Sequence, residues 1–339
     1  MNVITLTKEL LSIPSPSGEE KKIGEYLVQR LRGNFEVTLQ DIGGRFNILA
    51  TRGKPDLLLT THIDTVPGEL RVYEDEEWLY GRGACDTKGI IASMICASER
   101  AIAEGITNFG LLFDVSEETD FSGIEKGLNL VNPKRVIIGE PTNFDLVIGQ
   151  KGLLGITLMC EGMAAPGSTP ELGESAIEKL MDILARIREA RWPSDSVLGK
   201  TNFNIGKIEG GVAANVVAPL AQAILEFRTT VPNEEIIAML KVVSVGAIIQ
   251  VSYNFERSFL NNIAAFDEFG FKKEVVPYFT EMYFWQPKAS SVVFGPGEYC
   301  YAHTNNEKIR KRDLVRGEDE YLNMIRTLTT TISKEKLKN

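Results

Sequence analysis

Two histidines, His62 and His303, are the whole imidazole supply of this 339-residue chain. Imidazole is the side chain best suited to proton transfer and metal ligation near neutral pH, so any such chemistry must use one or both. His62 opens His62-Ile63-Asp64 directly after the run Leu57-Leu58-Leu59-Thr60-Thr61. A histidine at a strand end is commonly structural. Residues i and i+2 share a face of extended chain, however, and this puts Asp64 where it can orient the His62 ring. Asp86 lies in Gly81-Arg82-Gly83-Ala84-Cys85-Asp86-Thr87-Lys88-Gly89. Taken alone it reads as a helix N-cap; a glycine-dense approach to one carboxylate also suits a metal ligand that needs close backbone packing. Glu117-Glu118 follows a strand ending at Val115. A glutamate pair by itself is a solvated charge run, but the C-terminal edge of a buried parallel strand is where open α/β sheets bind ligands. Glu140, in Gly139-Glu140-Pro141-Thr142, follows another buried strand at the same edge. The pattern collects histidine and several carboxylates at one rim of one sheet.

The elements that must position these groups follow from periodicity. Val3 to Ser12 and Glu19 to Arg32 have helical spacing, separated by the breaker Pro14-Ser15-Pro16-Ser17-Gly18. Asn47 to Thr51, Leu57 to Thr61, Asn108 to Val115, Arg135 to Ile138 and Ser291 to Phe294 read as strands, and Gly89 to Ala103 as a packed helix. Strands alternating with helices predict an α/β fold with a doubly wound, mainly parallel sheet. After Gly149-Gln150-Lys151-Gly152 the pattern changes: strand 153–160, helix 173–190, strands 201–208 and 221–231, helix 233–243, strand 248–255. That β-α-β-β-α-β order is the ferredoxin-like α+β signature. The expected organisation is therefore a catalytic domain of residues 1–152 and 261–339, interrupted by an inserted domain of residues 153–260.

Composition narrows the classes of function. With 43% hydrophobic and 24% charged residues the chain is globular, long enough to bury a core without a structural metal. A net charge of −9 repels phosphate backbones, and the basic cluster Lys308 to Arg312 is not interleaved with a stacking module. Nucleic acid is therefore not an expected partner. That cluster and the Lys-rich C-terminus read as solvated surface. No apolar run reaches the ~18 residues of a membrane span, and residues 1–20 lack a secretory pattern. The four cysteines, Cys85, Cys96, Cys160 and Cys300, are far apart and read as reduced thiols, so a cytoplasmic location is expected.

The motifs His62-x-Asp64, Gly83-x-x-Asp86-x-Lys88-Gly89, Glu117-Glu118, Gly139-Glu140-Pro141 and Gly295-Pro296-Gly297 ahead of His303 occur in that order. From about residue 5 to about residue 325 the chain resembles the dizinc amidohydrolases that include acetylornithine deacetylase, succinyl-diaminopimelate desuccinylase, aminoacylase and glutamate carboxypeptidase. The resemblance implies two Zn²⁺ ions, with Co²⁺ as a possible substitute. One would be held by His62, Asp86 and Glu140, the other by Asp86, Glu118 and His303, with Asp86 bridging. Glu117 would be the general base and Asp64 would orient His62. Two divalent cations against three carboxylates and one hydroxide leave the buried cluster near neutral, and cations of this kind make water nucleophilic at neutral pH. The family places a cis peptide after the bridging aspartate, here Asp86–Thr87.

In the inserted domain, Gly210-Gly211-Val212-Ala213-Ala214-Asn215-Val216-Val217 resembles the segment whose asparagine binds the substrate carbonyl, often from a partner subunit, and Glu226-Phe227-Arg228 the strand whose arginine grips a substrate carboxylate. Arg257 is a second candidate for that grip. The resemblance also implies a homodimer built through the inserted domain. One position departs from the family: Pro166, in Gly162-Met163-Ala164-Ala165-Pro166-Gly167-Ser168, stands where relatives carry an oxyanion-stabilising histidine. Phe279-Thr280-Glu281-Met282 resembles the Thr-Glu-Ala stretch of acetylornithine deacetylases, where Glu281 would take a substrate ammonium. The leading expectation is a deacetylase of N-acetylornithine or N-acetyllysine, an activity of arginine or lysine biosynthesis. Alternatives are another dizinc deacylase or a dipeptidase, desuccinylase- or carboxypeptidase-like, or a homologue weakened by Pro166.

Overall fold

The computed structural model describes residues 2–260 and 263–336, with side chains through residue 329. The Lys-rich end, read above as solvated surface, lies outside the described side chains. The chain divides into two compact units: residues 1–148, 260–274 and 280–339 form the first, residues 149–259 and 275–279 the second. The segment Val275–Phe279 thus groups with the inserted unit rather than with the flanking one, which the change of pattern near residue 150 did not reveal.

In the first unit the strands run in the order Glu36–Ile42, Arg45–Arg52, Phe109–Asp114, Leu57–His62, Arg135–Ile138, Ser290–Val293. The last four are mutually parallel; Glu36–Ile42 and Arg45–Arg52 form an antiparallel hairpin at the edge. Every residue of Leu57–His62, Phe109–Asp114 and Arg135–Ile138 is buried. Strands covered on both faces need continuous rather than alternating apolar sequence, and that is what these segments carry. The mainly parallel α/β sheet is present. Glu36–Ile42 is only intermittently buried and so has too weak a pattern to read in advance.

The helix Lys88–Ala103 is buried around most of its circumference because it packs against Val3–Leu11 and Lys311–Lys336. Gly89, in its first turn, is required by that packing: a Cβ there would lie 2.4 Å from the Ala84 carbonyl oxygen. The helix start is thus pressed onto the loop that carries Asp86.

The second unit has a four-stranded antiparallel sheet in the order Asn202–Gly210, Leu220–Thr229, Gly152–Glu161, Ile248–Phe255. This is the ferredoxin-like arrangement of strands two, three, one and four. Helices Ala176–Glu189 and Asn233–Val243 supply Leu180, Ile183, Ile187, Ile236 and Leu240 to a core with Leu154, Ile156, Leu158, Leu225 and Phe227. On Leu220–Thr229 the alternate residues Leu220 and Ile224 remain exposed.

Candidate metal centre

The candidate ligands of the first unit come from the ends of its parallel strands and the loops beyond them. His62 is the last residue of its strand and is buried. Its Nδ1 lies 3.0 Å from the Asp64 carbonyl oxygen and 3.5 Å from Asp64 Oδ1, which leaves Nε2 facing Asp86. Asp64 is itself buried and fully engaged. It accepts hydrogen bonds from the Glu117 and Glu118 backbone N–H groups at 3.1 and 3.2 Å and from Ser17 Oγ at 2.6 Å. One carboxylate therefore fixes the His62 ring and the start of the Glu117-Glu118 turn together.

Asp86 is not a helix cap: the N-cap position belongs to Thr87, with no side-chain capping bond. Its two carboxylate oxygens diverge. Oδ1 lies 3.1 Å from His62 Nε2, and Oδ2 lies 3.2 Å from His303 Nε2. His303 Nε2 is also 2.9 Å from Glu118 Oε1. The Asp86–Thr87 peptide is cis, as the resemblance implies. Glu140, two residues beyond its strand, is buried. Gly295 packs against it so closely that a Cβ would lie 2.6 Å from the Glu140 carbonyl oxygen, and this draws the Gly295-Pro296-Gly297 turn to the rim. Two donor groups result, His62–Asp86–Glu140 and Asp86–Glu118–His303, each with all its donor atoms within 4.8 Å of one another.

The electrostatics describe a cluster short of positive charge. Burial pushes the Glu117, Glu118 and Glu140 carboxyls above the usual carboxylate range, and repulsion from neighbouring carboxylates adds to it. Burial acts in the same direction on Asp86, but hydrogen bonds from His303 and His62 outweigh it and hold this carboxyl well below its ordinary value. For His62, burial favours the neutral ring, yet the Asp64 and Asp86 hydrogen bonds prevail and raise its pKa. Imidazole nitrogens and carboxylate oxygens in two groups of three, with one shared aspartate, are a donor set that fits two divalent cations of the zinc or cobalt kind. His62, Asp86 and Glu140 would hold one and Asp86, Glu118 and His303 the other. Glu117 stands in neither group.

The remaining expected residues are placed differently. Glu281 is buried, its carboxyl against that of Asp114, and burial together with Asp114 raises its pKa. The Glu281 carboxyl is thus enclosed beside Asp114, within electrostatic reach of Glu117 and His62. In the second unit Asn215 is exposed on a loop bound to the Pro166 turn: Gly167 N–H donates to the Asn215 carbonyl at 2.8 Å, and Val217 N–H donates to the Ala165 carbonyl at 2.9 Å. Arg228 is part-exposed and paired with Glu226 at 2.8 Å. Arg257 donates to the Thr230 carbonyl and approaches Asp195, which gives it a structural occupation. Glu307, which no sequence motif above singles out, is buried beside Asp86 and accepts from its backbone N–H at 3.3 Å. Among the described residues no helix is long and apolar enough to cross a membrane.

Comparison with known proteins agrees with this architecture. A probable carboxypeptidase of Aspergillus flavus is 31% identical over 95% of this chain and 89% of its own length. A peptidase M20 domain-containing protein of Schizosaccharomyces pombe is 32% identical over 96% of this chain and 84% of its own. Among solved structures, a tripeptidase from Staphylococcus aureus superposes over 97% of this chain and 98% of its own with a TM-score of 0.81 at 22% identity, a likeness of fold. A dipeptidase from Saccharomyces cerevisiae, Dug1p, covers 97% of this chain and 96% of its own with a TM-score of 0.77 at 14% identity. The sequence pattern of peptidase family M20/M25/M40 matches residues 58–327, a stretch that contains every candidate ligand from His62 to His303. The chain is a member of that family, a hydrolase of amide bonds.

Proposed function

We propose that the protein hydrolyses the amide bond that precedes a free α-carboxylate in a small substrate, a carboxypeptidase- or dipeptidase-type reaction. The observation that carries the hydrolytic part is the divergence of the Asp86 oxygens toward His62 and His303, which suits a two-cation centre with Glu117 beside it. The substrate class is supported by relatives named probable carboxypeptidases. Hydrolysis of N-acetylornithine or N-acetyllysine belongs to the same chemical class, since the scissile amide there also adjoins a free carboxylate. The names of the relatives favour the carboxypeptidase- or dipeptidase-type reading over it.

Bound divalent cations, zinc in this reading and cobalt as a substitute, supply Lewis acidity and make water acidic enough to react at neutral pH. Glu117 accepts the proton of the attacking water. As the carbon–nitrogen bond breaks it delivers that proton to the leaving nitrogen, and the second proton of the water leaves the new carboxylic acid for the amine or solvent, so the products are a carboxylate and an ammonium group. Asp64 keeps Glu117 in register through the backbone contact. Arg228 is assigned to the substrate carboxylate, which has to compete with Glu226 for the guanidinium. Asn215 is assigned to the scissile carbonyl. Proline has neither a side-chain donor nor a backbone N–H, so position 166 leaves oxyanion stabilisation to the other groups, and Pro166→His is expected to raise kcat. A homodimer formed through the second unit, supported by its exposed Leu220 and Ile224, completes the reading.

The test is a panel of dipeptides and N-acyl amino acids, each with a free and an amidated C-terminus. Hydrolysis of the free-carboxylate members, abolished by a chelator and restored by Zn²⁺ or Co²⁺, is the expected outcome. Equal turnover of the amidated forms would overturn the substrate class.

A further inference from the structure

The loop that carries Asp86 and the loop that carries His303 are joined by a continuous series of contacts. Strand Lys308–Arg310 pairs antiparallel with Trp78–Tyr80, Lys308 opposite Tyr80. One residue further on, Gly81 N–H donates to the Glu307 carbonyl at 3.2 Å. Beyond that the connection passes to side chains. Arg82 Nη1 lies 2.7 Å from Glu307 Oε2 and donates to the Thr304 carbonyl at 3.2 Å, while Arg82 Nε donates to the Gly68 carbonyl at 3.0 Å. Glu307 Oε1 accepts the backbone N–H groups of both Cys85 and Asp86 at 3.3 Å. The Glu307 side chain is 1% exposed and that of Arg82 is 10% exposed. A buried charge pair with its hydrogen bonds filled is rigid, and breaking it from one side leaves an uncompensated charge.

His303 needs such an anchor more than any other ligand. Its side chain is 53% exposed and its backbone is left-handed, with φ of 62°. It lies in the irregular stretch between the turn Tyr299–Tyr301 and the strand Lys308–Arg310, with no sheet hydrogen bonds of its own. Thr304 and Glu307, held by Arg82, are the nearest fixed points on its C-terminal side.

We propose that Glu307, with Arg82, is a positioning residue: it sets the Asp86-to-His303 distance and thereby the affinity of the half of the metal centre that His303 completes. This inference rests on the two-cation reading given above. Outer partners of metal ligands contribute about 10–100-fold in metal affinity, and Glu307 is expected to act in that range on one ion selectively.

The experiment is titration of Zn²⁺ into the metal-free full-length protein by calorimetry, repeated with Co²⁺ and its visible absorption. Glu307→Ala is expected to weaken the second binding event by about 10–100-fold and to leave the first within a few-fold. Glu307→Gln, which keeps an acceptor for the Cys85 and Asp86 N–H groups, is expected to restore part of the loss. Thermal melting of the metal-free variants reports whether each is folded. If Glu307→Ala is not, Arg82→Gln carries the test with the same expected loss of the second ion. Unchanged second-site affinity in a folded variant, or an equal loss at both sites, overturns the inference. Wild-type protein that takes up a single equivalent removes the two-cation reading and this inference with it. Two equivalents bound with the same second-site affinity in wild type and variant remove the inference alone.

Discussion

The two donor groups of the candidate metal centre are built on different foundations. His62 and Glu140 are buried and sit at or just beyond the ends of parallel strands whose backbones are hydrogen-bonded on both sides. Their positions are inherited from the sheet. Glu118 and His303 belong to loops entered through left-handed residues, Ser116 at φ 67° and His303 itself, and His303 is half-exposed. Their positions depend on side-chain contacts: Asp64 for the Glu117-Glu118 turn, Glu307 for the His303 segment. Only Asp86 belongs to both halves. The difference teaches that one half is pre-formed by the fold whereas the other must be held by a few polar contacts, so the second should take its ion more weakly and exchange it faster.

Removing the shared ligand should erase the comparison altogether. Asp86→Ala is expected to bind neither ion firmly and to lose all measurable activity, which metal analysis after dialysis will show; retention of two ions would mean that the divergent oxygens do not bridge. Next in size, Glu117→Ala should lower the rate by ~10²–10⁴-fold while keeping two ions per chain, because Glu117 belongs to neither donor group. Loss of an ion in that variant would place Glu117 among the ligands.

A direct measurement of the asymmetry pairs His303→Ala with His62→Ala. The first variant should retain one tightly held ion. In the second, loss of a buried ligand that Asp64 also contacts should lower both affinities. Equal behaviour of the two would break the distinction between sheet-borne and loop-borne halves. The smallest effect is on stability. In the metal-free protein, hydrogen bonds to Asp86 and Glu118 push the His303 pKa up to about 10. A folded pKa above the unfolded value of about 6.5 contributes stability that is complete below pH ~6.5 and is lost as pH rises through about 10. Urea unfolding of the chelated protein should therefore show stability falling over that window, with a shallower fall in His303→Ala. The same raised pKa predicts proton release when metal binds at pH 7, since the ligand is the neutral ring. Calorimetry in buffers of different ionisation enthalpy will measure it.

Legibility followed the range of the forces involved. His62 and Asp64 could be paired in advance because alternation along extended chain is a local rule, and Asp64 is found against the His62 ring. The buried strands were readable because parallel pairing demands continuous apolar residues. The surroundings of Glu281 were not legible in the same way. Its neighbours in sequence suggest a substrate contact, but packing of its segment beside Asp114 at the end of Phe109–Asp114 encloses it. Glu307 was invisible for the converse reason, since nothing in the residues around it separates it from the other acidic groups until the fold brings Arg82 and the Asp86 loop to it.

Residue type and order along the chain were enough to propose seven groups for the candidate centre, His62, Asp64, Asp86, Glu117, Glu118, Glu140 and His303, because strand ends, glycine-rich turns and the resemblance of ordered motifs are properties of short segments. Tertiary structure alone decided which oxygen of Asp86 faces which histidine, which carboxyl is enclosed beside another, and which buried ion pair braces the exposed ligand. These are distances between residues as far apart in sequence as Asp86 and His303, or Arg82 and Glu307. Such distances are set by the packing of the whole sheet and its loops, and no local preference of the chain encodes them.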